Sequence, residues 1–348
     1  MSATTPEGRA VPLWKRLPVV KQLRRSVGLQ RGMLVVGIVI CAVFLIAAIF
    51  APLIAPYGFG ELSNKFGSFP RQASPDSTFI WGTTVGGYDV FSRVVWGART
   101  AVSVVILAVV ISVVIGVVLG LVSGYLGGWL DRVLVVIADA VYAFPSLLLA
   151  IVVSIVISGG NSSYIGGILS AAISITVVFV PQYFRVVRAE AVRLKSEAFV
   201  ESSKVIGTST SRIMFKHVLR NSTRSLPLIL TLNASEAILT LASLGFLGFG
   251  IGPTAAAEWG YDLNNALSDA ASGIWWTGLF PGLAIVMLVL GVTLVGESLN
   301  DLADPRLRTR RRARRKKSVV ASTETTAGGS TGTGTTGPGT GTTEEATA

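Results

Sequence analysis

Cysteine and histidine are almost absent from this chain: Cys41 and His217 stand alone among 348 residues. One cysteine excludes an intrachain disulfide framework, and one of each excludes a metal cluster of the zinc type built from this chain alone. Charge is scarce too, at 14% of residues, and the run 33–51 has none. The G-x-x-x-x-G-K-[ST] phosphate loop is missing, so nothing in the sequence cradles ATP. What remains is 51% apolar with a mean hydropathy of +0.63, the composition of an integral membrane protein.

Apolar runs predict six membrane-spanning helices, at 33–51, 101–122, 133–157, 165–184, 226–249 and 274–295. The first has 19 residues, which at 1.5 Å each cover about 30 Å of hydrocarbon. Its basic lead, 1–32, reads as a cytoplasmic segment ahead of a retained anchor rather than a cleaved leader. Segment 52–100 is too polar to span and holds Trp81 and Trp96, so it is expected to fold outside against the membrane surface. Gly116, Gly120 and Gly124 recur every fourth position, which puts a ridge of small residues on one helix face for close packing. Pro145 should kink the third span. After the six-span domain, 33–305, the tail 306–348 is basic over 306–317 and then Thr-, Gly- and Ser-rich, a disordered composition.

The net charge of +11 raises nucleic acid as a partner, but its distribution points to membrane topology instead. Of the 30 Lys and Arg, 26 fall in the N-terminal segment, the second and fourth loops and the tail, and four fall in segment 52–100. Positive charge stays inside, so both termini and the long loop 185–225 are expected in the cytoplasm.

That loop is the most polar stretch between spans. Two short helices fit it. The first covers about 197–206, with Phe199, Ser203 and Ile206 at i, i+4 and i+7 as one contact face. Gly207 stands where a helix C-cap needs positive φ, and Thr208, Ser209 or Thr210 can cap a second helix holding Ile213, Met214, Val218 and Leu219. Helix, glycine, helix makes a rigid elbow. Residue pattern alone leaves two uses open: docking into another protein, or lying on anionic lipid.

The order of residues in the elbow carries a resemblance. FVESSKVIGTSTSRIMFKHVLRN at 199–221 resembles the EAA loop, roughly Y-V-E-A-A-R-A-L-G-A-S-x-x-R-I-x-x-x-H-x-L-P-N, of permease subunits of binding-protein-dependent ABC importers, specifically the dipeptide/oligopeptide C-type. Glu201, Gly207, Ser209, Arg212, Ile213, His217, Leu219 and Asn221 are in register, while Ser202 and Ser203 replace the alanine pair and Arg220 the proline. FIWGTTVGGYDVFSRVVWGAR at 79–99 is similar to that family's entry to the second span, and GYLGGWLDRVLVVIADAVYAFPSLLLA at 124–150 to its G-Y-x-G-G-x-x-D…F-P-x-L-L-L-A block. Phe246-Leu247-Gly248, Trp259-Gly260, FPGLAI from Phe280 and DPRLR from Asp304 complete the likeness over about 34–308. Val85, Tyr88 and Leu241 depart from it, the last standing where the family often has Glu; here Glu236 comes earlier.

The resemblance implies an all-α integral membrane protein with the type I ABC importer permease fold, six transmembrane helices and cytoplasmic coupling helices. It implies half of a translocation pathway for dipeptides or oligopeptides in the bacterial cytoplasmic membrane, with nickel complexes, haem or another small solute as alternatives. The implied partners are a homologous permease subunit, two ATP-binding cassette subunits that hold ATP and Mg, and an extracytoplasmic solute-binding protein, besides membrane lipid. The chain itself would bind no cofactor or metal and catalyse nothing. Its ATPase-coupling residues would be Phe199, Glu201, Ser202, Ser203, Gly207, Ser209, Arg212 and His217.

Asp139 and Glu236 lie inside spans, where an acid costs about 2.5–3.5 kcal/mol, so each should pair between helices or line the solute path. Two readings of other classes remain. An ion-driven secondary transporter would use these acids as relays, though no inverted repeat is visible. A membrane scaffold would recruit partners through the basic tail.

Overall fold

Backbone groups in hydrocarbon must be satisfied within their own segment, so long apolar runs become helices. The computed structural model describes residues 29–65, 67–158, 163–223 and 226–303. The N-terminal lead through 28 and the basic and Thr/Gly-rich tail from 304 lie outside the described residues. Residues 1–300 form one compact unit and 301–348 a second, of which only the end of the last helix is described.

Among the described residues, five helices are long and apolar enough to cross a membrane: α1 (Leu29–Ile54), α2 (Val90–Leu126), α5 (Tyr164–Lys195), α8 (Leu226–Phe246) and α10 (Trp276–Ala303). A bent pair, α3 (Gly128–Tyr142) and α4 (Ser146–Ser158), whose axes meet at 97°, brings the number to six when the two are counted as one broken span. The expected kink at Pro145 is thus a full change of direction. Proline brings no N–H to the ladder and pushes the residue before it out of the α region. Ala143 still bonds to the Asp139 carbonyl at 2.9 Å, and Leu149 takes up the ladder again on the Pro145 carbonyl at 3.0 Å.

α2 begins at Val90, before its apolar run opens, because the Asp89 carboxylate caps it by accepting from the Ser92 N–H at 2.8 Å. α5 runs on to Lys195, well past its apolar run. These two helices form the central pair. A Cβ at Gly116 would sit 2.5 Å from the Tyr183 Cβ, at Gly120 2.6 Å from the Phe184 carbonyl oxygen, and at Gly124 2.6 Å from the Arg188 carbonyl oxygen. The glycine ridge is therefore filled by the α5 backbone, as small residues permit in a medium where dispersion, not water, drives helix contact. Side-chain hydroxyls add links between helices: Thr176 to the Ala108 carbonyl, Ser170 to the Ser154 carbonyl, and Ser154 to the Phe249 carbonyl.

The two ends of the bundle differ. At one end lie residues 55–89, with a two-residue ribbon β1 (Ser63–Asn64) and β2 (Gly67–Ser68), and the short helix α9 (Trp259–Ala271). This cap is held by a buried charge pair: Arg93 Nε donates to Asp262 Oδ1 at 2.6 Å, and Arg93 Nη1 to the Phe59 carbonyl at 3.1 Å. Trp96, Trp259 and Trp276 each donate an indole N–H to a carbonyl, of Tyr57, Val94 and Thr83 respectively. Glu258 caps α9 by accepting from the Gly260 and Tyr261 N–H groups, both at 2.8 Å. Burial pushes its carboxyl up to about 8, against those two donors and the Arg93 charge, which pull it down. At the opposite end of the bundle lies the elbow.

Candidate coupling elbow and solute path

Helix α6 (Ala198–Val205) opens the elbow after a break at Ser196 and Glu197. Its end is a Schellman motif built on Gly207, whose φ is +79°. The Gly207 N–H donates to the Lys204 carbonyl at 2.9 Å and the Thr208 N–H to the Ser203 carbonyl at 3.0 Å. The chain then turns through Ser209, in extended conformation, into α7, a composite of Thr210–Arg212, a wider π-helical turn Ile213–Val218 and a last turn Leu219–Ser222. Asn221 Nδ2 donates to the His217 carbonyl across this stretch at 2.9 Å.

The elbow has two unlike faces. Val200, Ile213, Met214 and Val218 are buried and join the same core as α2 and α5. Fully burying aliphatic side chains of this kind contributes about 1.5–3 kcal/mol each, enough to hold the elbow as part of the body rather than as a tether. The other face is open and apolar: Val205 is 88% exposed, Ile206 82% and Phe199 39%. Of the expected face Phe199, Ser203 and Ile206, Ser203 is half-buried and turned partly inward. Val205 is the residue that sequence periodicity misses, because it lies off the i, i+4, i+7 row; the signal was a β-branched pair directly before the capping glycine.

Elsewhere on the elbow, Glu201, Ser202, Lys204, Ser209, Arg212, Lys216 and Arg220 are exposed. Among the described residues none of Lys204, Arg212, Lys216 and Arg220 enters an ion pair. Ser202 and Ser203 donate back to the Ala198 and Phe199 carbonyls at 2.8 and 2.7 Å. Their hydroxyls are spent on their own helix, so they stand in for alanines without leaving a free donor. His217 is half-buried on the inner side of α7.

Where the elbow meets the bundle, Arg188 grips Asp131 with two bonds, Nε to Oδ1 at 2.5 Å and Nη2 to Oδ2 at 2.7 Å, and Ser123 Oγ joins Oδ1. This fork ties the ends of α2, α3 and α5 together.

The two membrane acids part company. Asp139 is taken by Arg185 at 2.7 Å, whose guanidinium lies 4.3 Å over the Tyr142 ring. Glu236 has no ion-pair partner among the described residues. It borders a cleft of about 230 Å³ whose wall is the α3–α4 bend, with Tyr142, Phe144 and Ser146 on one side and Phe179 and Gln182 of α5 on the other.

Residues 116–309 match the family described as binding-protein-dependent transport system inner membrane component. The chain is 35% identical over 300 residues to the dipeptide transport system permease protein of Alkalihalophilus pseudofirmus, covering 86% of this chain and 92% of that one. It is 36% identical over 310 residues to the glutathione transport system permease protein of Salmonella typhimurium, covering 85% and 98%. To the glutathione transport system permease protein of Escherichia coli it is 34% identical over 264 residues, covering 76% and 83%.

Proposed function

The chain belongs to the binding-protein-dependent transport system inner membrane component family, and from that premise we propose how it couples and what it carries. It is a multi-pass permease subunit of an ABC importer without chemistry of its own. Its cargo is a short peptide. The names of its relatives, one for a dipeptide and one for the tripeptide glutathione, support this. ATP and Mg belong to two partner ATPase subunits, a homologous permease supplies the other half of the path, and an external binding protein delivers the solute. Both termini and the elbow face the cytoplasm, which the 26-to-4 division of basic residues supports.

The single observation that carries the coupling role is the elbow's two-faced build. Val205 and Ile206 are apolar, exposed and presented at the tip of a capped helix, which is the form of a plug for a groove in another protein. The buried side, through Val200, Ile213 and Val218, passes any displacement of that plug to α2 and α5. The Arg188–Asp131 fork makes the ends of three helices move with it. Closure of the ATPase pair would thus shift the helix ends and switch the path between outward- and inward-open states. The surrounding Lys204 and Arg212 suit an acidic rim on the partner groove.

Gly207→Pro tests the reading directly. It removes the N–H bonded to Lys204 and imposes a negative φ where +79° is needed. ATP-driven uptake of a dipeptide in proteoliposomes should vanish while membrane insertion and helix content stay as in the wild type. Normal uptake by this variant would sink the coupling elbow.

A further inference from the structure

A carboxylate in a hydrocarbon layer is costly to bury, so it needs water, a donor or a cation nearby. Of the two acids inside spans, Asp139 has such a cation in Arg185. Among the described residues Glu236 has none, although the α8 face that carries it, with Leu232 and Leu239, is exposed on the single chain. That face cannot lie against lipid tails with its acid ionised. The cleft it borders holds further acceptors in Gln182 and Ser146 and the rings of Phe144 and Phe179, while the Tyr142 ring beside them already carries the Arg185 guanidinium, 4.3 Å from its centre. Among the described residues no Lys, Arg or His lines it. Carboxylate, amide and hydroxyl oxygens beside aromatic faces form a pocket for an ammonium group: the oxygens accept its N–H bonds and the rings attract its charge. The only guanidinium one turn from Gln182, that of Arg185, is drawn off by Asp139 and Tyr142.

We propose that Glu236 is the specificity-determining residue of this subunit's solute path, receiving the protonated amine of the solute in the cleft at the α3–α4 bend. The inference rests on the importer reading and adds the chemistry of its cargo. Gln182 orients the same group, and the bend at Pro145 shapes the wall opposite, so movement of α3 against α4 opens or closes the pocket.

Two measurements on the purified complex separate this idea from the reading beneath it. In proteoliposomes, Glu236→Gln should slow uptake of alanyl-alanine about tenfold, which corresponds to about 1.4 kcal/mol. Glu236→Asp should recover most of the loss, and N-acetyl-alanyl-alanine, which has no cation, should not discriminate between wild type and Glu236→Gln. Nα-acetyl-lysyl-alanine distinguishes a terminal from a side-chain ammonium: sensitivity to Glu236→Gln with either peptide upholds the site and says which amine it takes. Equal slowing of the neutral peptide, or none of any peptide, overturns it. Independently of any peptide, ethylammonium should protect Glu236 from dicyclohexylcarbodiimide labelling, read by mass spectrometry, and acetamide should not. Labelling unaffected by ethylammonium overturns the site while leaving the importer standing. Protection without uptake of any peptide by the wild type would keep the cation site and remove the peptide reading. A fixed ion pair to a basic residue of the partner permease would show as unprotected labelling and loss of the partner from Glu236→Gln, and would also overturn the proposal.

Discussion

Gly207 has open space around its Cα, with no atom within 4 Å of where a Cβ would stand. Its demand is conformational only. Gly207→Ala therefore carries the left-handed penalty of about 1–2 kcal/mol and no clash. Uptake should fall in part and recover on cooling or with excess ATPase subunit, in contrast to the complete loss expected for proline. At Glu258 the issue is charge. A carboxyl held up at about 8 in the fold, against an ordinary value of 4.5, keeps its proton where the unfolded chain has lost it. The folded state then binds more protons between about pH 4.5 and 8, so stability is highest below that window and declines as pH rises through it. Buried Asp262 is shifted the same way, burial outweighing the pull of Arg93. Glu258→Gln should flatten the decline. Thermal unfolding of the detergent-solubilised protein at pH 5 and pH 9 measures it, and an unchanged difference between the two pH values would refute the assignment.

Helices impose their own constraints. The α2–α5 pair closes on a ridge where any side chain strikes backbone, not a movable tip: Gly120 faces the Phe184 carbonyl oxygen and the Arg188 nitrogen at 2.6 and 3.1 Å. Gly120→Val should cost about 1–3 kcal/mol through overpacking and lower the amount of folded protein recovered from membranes. At the elbow junction, Asp131→Asn breaks a two-bond fork that is only partly exposed, with side-chain exposures of 18% and 32% for Asp131 and Arg188. A loss of about 1–2 kcal/mol is expected there, after allowance for solvent screening. Because the fork joins the ends of three helices, the more telling readout is coupling. ATP hydrolysis should persist with less solute moved per ATP, and an unaltered ratio would count against the fork as a link.

For the whole molecule, the elbow and the cap sit at opposite ends of a bundle whose central pair, α2 and α5, reaches toward both. One end presents the exposed apolar side chains of Val205 and Ile206, and the other is closed by a set of buried charge and indole bonds. Val205→Asp with Ile206→Asp should leave the permease in the membrane but release the ATPase from it in affinity purification, each site being worth about 2 kcal/mol as an interface anchor. Retention of the ATPase at wild-type levels would move the interface elsewhere.

The apolar helices, the glycine ridge and the capped elbow were legible in the amino-acid order. Each depends on residues within a few turns of one another, whose spacing dictates a face, a cap or a span. Family likeness through Glu201, Gly207 and His217 likewise lives in local register. Residues far apart were another matter. Arg93 and Asp262 meet across 169 positions, and nothing local to either foretells it. Asp139 and Glu236 look alike in sequence, yet one is neutralised by Arg185 and the other borders a cleft. Pro145 announced a kink but not its size, 97°. Periodicity tells a helix which face to bury; only the packed bundle decides what that face meets, because pairing energy depends on partners that chain order does not bring together.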